Sequence, residues 1–109
     1  MDIEYANKHL RKLCEQNRFA VQELGVNCAK KLQTRIADLQ SANDVLELPA
    51  GKPHPLQRDR KGQYAISLPD GKRIIFVPAN NPTPMIDDKN IDWSRVTKIR
   101  IIEIGDYHD

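Results

Sequence analysis

The tripeptide Pro69-Asp70-Gly71, set between two apolar runs, constrains this chain more than any other stretch. Glycine supplies the positive φ that a tight hairpin turn needs, and aspartate is its usual companion. Upstream, residues 63–68 alternate, with Tyr64, Ile66 and Leu68 toward one face and Gln63, Ala65 and Ser67 toward the other. Downstream, residues 72–77 are mostly apolar, as a central strand is. An antiparallel hairpin is therefore predicted, and the rest of the chain builds onto it.

The strand half extends on both sides of that hairpin. Residues 54–58 read as a brief strand centred on Leu56, joined onward through a longer loop, Asp59-Arg60-Lys61-Gly62. Pro78 ends the strand after the hairpin. Residues 79–93, with Pro82 and Pro84, are a long polar excursion without a predicted element, anchored back to the core by Ile91 and Trp93. The last strand follows: five isoleucines and valines in the nine positions from Val96 to Ile104 have strong β character. It finishes on Asp106, Tyr107 and His108. Gly105 allows a bend or bulge just before them.

The first half of the chain reads as helical. Asp2–Tyr5 is an extended start, an edge-strand candidate with Ile3 and Tyr5 on one face. From Ala6, Leu10, Leu13 and Cys14 share one side. Asn17 weakens that helix, and Phe19, Val21 and Leu24 follow before Gly25, a natural helix stop. Ala29, Leu32, Ile36 and Leu39 recur at spacings of three and four, which predicts a helix over 28–41 with Asn27 placed to cap it. Val45, Leu46 and Leu48 form a short turn or helical stub before the loop 49–53. Helices first and a meander second imply an α+β fold, with N-terminal helices packed on one face of a small twisted antiparallel sheet.

Composition bounds the class. At 109 residues, with 39% hydrophobic and 29% charged residues, the chain suits one soluble domain over 1–109. No apolar run is long enough to span a membrane, and the start Met1-Asp2-Ile3-Glu4-Tyr5 lacks a signal-peptide pattern, so the cytoplasm is the expected compartment. Cys14 and Cys28 have neither the number nor the spacing of a disulfide framework or zinc site. The net charge is only +2, yet between residues 52 and 73 the cations Lys52, Arg58, Arg60, Lys61, Lys72 and Arg73 outnumber Asp59 and Asp70. Such a basic centre suits an anion such as a nucleic-acid backbone; the competing reading is a solvated hairpin edge.

Two groups of residues could carry chemistry. The ending supplies a carboxylate, a phenol and an imidazole, with Asp106 and His108 sharing a strand parity and Tyr107 opposite. The second group is His54, held extended between Pro53 and Pro55, with Arg58, Arg60, Lys61, Lys72 and Arg73. Arg73 lies inside an apolar strand, where its charge needs a ligand or a partner such as Glu103. Histidines, cations and a tyrosine permit metal-free RNA cleavage. A base takes the ribose 2′-OH proton, the oxygen attacks phosphorus, cations offset the charge and an acid protonates the leaving oxygen.

The string His54-x-Leu56-x-x-Asp59-Arg60-x-Gly62-x-Tyr64, then Arg73-x-x-Phe76, then the ending Val96-x-x-Ile99-x-Ile101-x-x-Ile104-x-Asp106-Tyr107-His108 resembles the RelE superfamily of toxins. It is most similar to the HigB-like plasmid maintenance killer branch. The resemblance spans nearly the whole chain. It implies the toxin of a type II toxin–antitoxin system, an mRNA interferase that enters the ribosomal A site, cleaves messenger RNA there and inhibits translation. It implies contacts with messenger and ribosomal RNA, no cofactor and no metal, and a helix-turn-helix antitoxin as partner. Carried over by position, His54 and His108 are acid/base candidates, Asp106 orients, Tyr107 stacks on or positions substrate, and Arg60 and Arg73 hold phosphate. Members often read His-x-Leu-Lys-Gly-Asp-Arg, whereas this chain has Gln57 for the lysine and Arg58 for the glycine. That departure keeps a catalytically weak interaction protein in play. A ParE-like gyrase inhibitor shares the fold without the histidines.

Overall fold

The computed structural model describes residues 1–106. Its elements are β1 (Asp2–Tyr5), α1 (Lys8–Glu15), α2 (Asn17–Leu24), α3 (Val26–Ser41), β2 (His54–Pro55), β3 (Tyr64–Ser67), β4 (Lys72–Pro78) and β5 (Lys98–Asp106), with 3-10 turns at Val45–Glu47, Arg58–Arg60 and Trp93–Arg95. The fold is α+β, as the segregation of patterns implies.

The three helices are cut from one polar-apolar stretch by local chemistry. Asn7 opens α1 by accepting from the Leu10 N–H at 2.9 Å. Asn17 does not merely weaken that helix: it begins α2. Gly25 stops α2, its N–H bonding Val21 O at 2.9 Å, while its carbonyl accepts from Ala29 N at 3.0 Å to start α3. The predicted cap at Asn27 therefore lies inside the helix, which begins at Val26. Ala29, Leu32, Ile36 and Leu39 are all buried, as their spacing requires. They meet Tyr64, Ile66, Ile74, Phe76, Ile99 and Ile101 from the sheet in one core. Each such large side chain contributes roughly 1.5–3 kcal/mol by leaving water.

The hairpin forms where predicted. Asp70 and Gly71 both take positive φ, +61° and +69°, the primed turn that matches strand twist. The strand order is β1-β5-β4-β3-β2. Three of the four pairings are antiparallel, but β1 runs parallel to β5, so the sheet is mixed rather than antiparallel throughout. Both ends of β1 are held in that direction. The Met1 ammonium donates to the carbonyls of Leu39, Gln40 and Ala42 at the end of α3, at 2.9, 2.9 and 2.7 Å. At its other end Tyr5 leads into α1, which packs on β5. Glu4 then meets Lys98 and Arg100, at 3.0 Å each.

The irregularity in β5 falls at Ile102, three residues before Gly105. Ile75 pairs with Glu103 but Phe76 with Ile101, leaving one extra residue on β5. This bulge lets Ile101 and Ile104, three apart, both face the helices. It also sets the parity of residues 103–106.

Candidate functional site

The sheet face away from the helices carries two cross-strand rows. One row is His54, Ala65, Ile75 and Glu103; the next is Ser67, Arg73 and Gly105. The ladder therefore puts His54 and Arg73 on one face, two strands and one row apart, with backbones roughly 12 Å from each other. Arg73 is only 4% exposed, whereas His54 lies open to solvent.

His54 sits on a strand shorter than predicted. β2 ends at Pro55, since proline offers no N–H, and Leu56 N makes one more bond, to Gln63 O at 2.8 Å. The ring is oriented by the backbone: His54 Nδ1 lies 2.9 Å from the carbonyl of Lys52. A carbonyl only accepts, so Nδ1 carries the proton and Nε2 is left as the acceptor of the neutral ring.

Arg60 reaches the same face by a different route. Its Nε donates to Gln63 Oε1 and its Nη2 to Glu103 Oε1, both at 2.9 Å. The carboxylate considered as a counter-ion for Arg73 is thus engaged by Arg60. With both partners part-exposed, the pair contributes at most about 1 kcal/mol; its effect is to orient the guanidinium. Sequence reasoning missed Gln63 and the Lys52 carbonyl. Backbone acceptors leave no trace in side-chain patterns.

Arg58 does not follow strand alternation. It adopts φ +58° and opens a 3-10 turn, an uncommon conformation for a residue other than glycine. The loop 56–62 thus holds strain at the position where the resembling sequences carry glycine. Arg58→Gly is expected to raise stability by about 0.5–1 kcal/mol despite glycine's entropy cost, measurable as a higher urea midpoint. An unchanged or lower midpoint would refute a strained Arg58. Arg58 and Lys61 are both exposed.

Lys72 and Asp106 belong elsewhere. They pair in register and their charged groups lie 3.6 Å apart. Their parity is that of Ile74 and Ile104, the helix-covered face, because the bulge at Ile102 has already shifted the ladder. Asp106 is therefore not on the face that His54 and Arg73 share, and its expected orienting role beside them is corrected by this geometry. Tyr107 and His108, the other terminal candidates, lie outside the described residues.

Other reactive groups are silent. Burial pushes the Cys14 thiol up to about 12, even though its hydrogen bond with Tyr5 pulls the other way. Burial likewise drives the Tyr5 phenol to about 12. Cys28 is also raised, again by burial. Among the described residues no group of three or more His, Cys, Asp or Glu side chains is placed to hold a metal ion, and no helix is long and apolar enough to cross a membrane.

The excursion 79–93 is ordered rather than structureless. Asn80 clasps the start of β5, its Oδ1 accepting from Thr97 N and Lys98 N at 3.1 Å each. Residues 84–92 fold back as a small finger, with Ile86 N to Asn90 O at 2.8 Å and Asp92 N to Pro84 O at 2.9 Å. Trp93 anchors it as expected, its ring 4.7 Å from that of Tyr64.

No known family profile matches the sequence, and no curated protein is similar to it in sequence. Solved structures are similar in fold. A YoeB/ParE toxin from Agrobacterium tumefaciens superposes with a TM-score of 0.63 at 12% identity, covering 99% of this chain and 100% of that one. The YoeB dimer from Staphylococcus aureus gives 0.58 at 16% identity, and the YoeB–YefM complex from the same organism 0.58 at 18%; each covers 100% of this chain and 98% of the other. The likeness is one of fold, over essentially whole chains.

Proposed function

We propose that this chain is the toxin of a type II toxin–antitoxin system in the RelE superfamily, in its HigB-like branch, acting in the cytoplasm as a single domain. Its activity in this reading is ribosome-dependent, metal-independent cleavage of messenger RNA. Full-length likeness of fold to YoeB toxins supports the class. The observation that carries the chemistry is the orientation of His54: Nδ1 tied to the Lys52 carbonyl and Nε2 left to accept, on the face that also bears Arg73.

On that face His54 Nε2 takes the proton of a ribose 2′-OH as the O2′–phosphorus bond forms. Arg73 and the oriented Arg60 offset the charge gathering on the phosphoryl oxygens, with Arg58 and Lys61 on the flanking backbone. The phosphorus–O5′ bond breaks, leaving a 2′,3′-cyclic phosphate. His108 protonates the departing 5′-oxygen, with Tyr107 in a supporting role; these two assignments come from the resemblance. The partner is an antitoxin, and YefM is the one named with the Staphylococcus aureus toxin.

The test is primer extension on messages translated with and without the purified chain. Discrete cuts are expected only on translated messages, in the presence of a chelator, and none where the cut-site ribose lacks its 2′-OH. Cutting of the deoxy-substituted message would overturn the mechanism. Intact messages alongside blocked gyrase supercoiling would overturn the class in favour of a ParE-like poison.

A further inference from the structure

The finger 84–92 and the loop 56–62 enclose a groove of about 670 Å³ beside the β2 edge, and of its lining the cleavage chemistry uses only Lys61. Its lining is largely apolar: Pro55, Leu56, Met85, Ile86, Ile91 and Trp93. Ile86 is 69% exposed and Met85 38%. Scattered singly such exposure means little, but here both side chains border one concavity. The charged side chains lining it are Lys61 and Lys89, both cationic. On the finger, Asp87 is turned into its own turn, where it accepts from Asn90 Nδ2 and from the N–H groups of Lys89 and Asn90; Lys61 is its weaker, through-space neighbour.

We propose that this groove docks an acidic, apolar-anchored segment of a partner protein. Bulky apolar side chains of that segment seat against Trp93 and Ile86, and its carboxylates meet Lys61 and Lys89. Charge complementarity selects the acidic partner, since the charged residues lining the groove are both lysines and no carboxylate lines it. RNA fits less well. Trp93 packs at a tilt against Tyr64, whose side chain faces the helices, while His54 pairs with Ala65 on the opposite face. A strand crossing the His54 face would have to turn round the sheet edge to enter. Because Pro55, Leu56 and Gln57 follow His54 directly, an occupant also holds the segment that carries it. The proposal stands whether or not the chain cleaves RNA.

Trp93 is the sole tryptophan, so its emission reports on the groove. The probes are a synthetic leucine/glutamate peptide, its leucine/lysine counterpart and a uridine oligonucleotide. The leucine/glutamate peptide is expected to give a saturable blue shift. A Lys61→Glu, Lys89→Glu double variant should bind it about tenfold more weakly or worse and should take the leucine/lysine peptide instead. Ile86→Asp should abolish the response, with thermal melts confirming that each variant is folded. A blue shift with RNA alone, a shift that tracks self-association in sedimentation, or no response to the acidic peptide would each overturn the proposal.

Discussion

Replacing Gly51 by alanine is expected to destabilise the fold by about 2–4 kcal/mol, through two costs that add. The first is conformational: Gly51 has φ +87°, a region that costs a residue with a Cβ about 1 kcal/mol or more. The second is steric. An added Cβ would lie 2.5 Å from Ile66 Cγ2, 3.0 Å from Arg35 Nε and 3.3 Å from Arg35 Cδ. Ile66 is 1% exposed and cannot give way, and the Gly51 carbonyl is pinned to β3 by Ser67 N at 2.7 Å. Arg35 is itself held, by Asp38 at 2.9 Å. Gly71→Ala separates the two costs. Its φ is +69°, but an added Cβ meets nothing within 4 Å, so only the conformational part, about 1 kcal/mol, should be lost. Urea midpoints of the two variants measure the difference. Equal midpoints would show that the 49–53 loop relaxes away from Ile66.

Gly51 also marks the boundary of what the sequence discloses. The loop 49–53 was legible as a connection, but its pressure against Ile66 and Arg35 was not, because close approach of distant segments has no local signature. The hairpin, the α3 stripe and the return of Trp93 were legible for the opposite reason: each follows from turn chemistry or periodicity within a few residues. The direction of β1 was hidden, since Ile3 and Tyr5 reveal which face is apolar but not which way the strand runs. At the site, His54 and Arg73 could be picked out as an exposed imidazole among prolines and a cation in an apolar strand. The separation of Asp106 from them was not readable, because it depends on strand register, and one bulged residue, Ile102, reverses the parity that simple alternation assigns.

His54→Asn is expected to lower ribosome-dependent cleavage by about 10²–10⁴-fold, the usual worth of a positioned general base, while leaving the melting midpoint unchanged. The choice of asparagine isolates the base. Its amide can still donate to the Lys52 carbonyl, as the imidazole does at 2.9 Å, but it offers no nitrogen able to take a proton. Stability should not move, because the His54 ring is exposed and its strand is only two residues long. If protonating the imidazole removes the base, the wild-type rate must fall on acidification and the variant's residual rate must lose that limb. Arg60→Ala is the contrasting case. It cuts the links to Gln63 and Glu103 without removing a proton acceptor, so the shape of the acid limb should survive while RNA affinity drops. Should His54→Asn cleave at the wild-type rate, His54 has no part in proton transfer, and the general base has to be sought among the terminal residues instead.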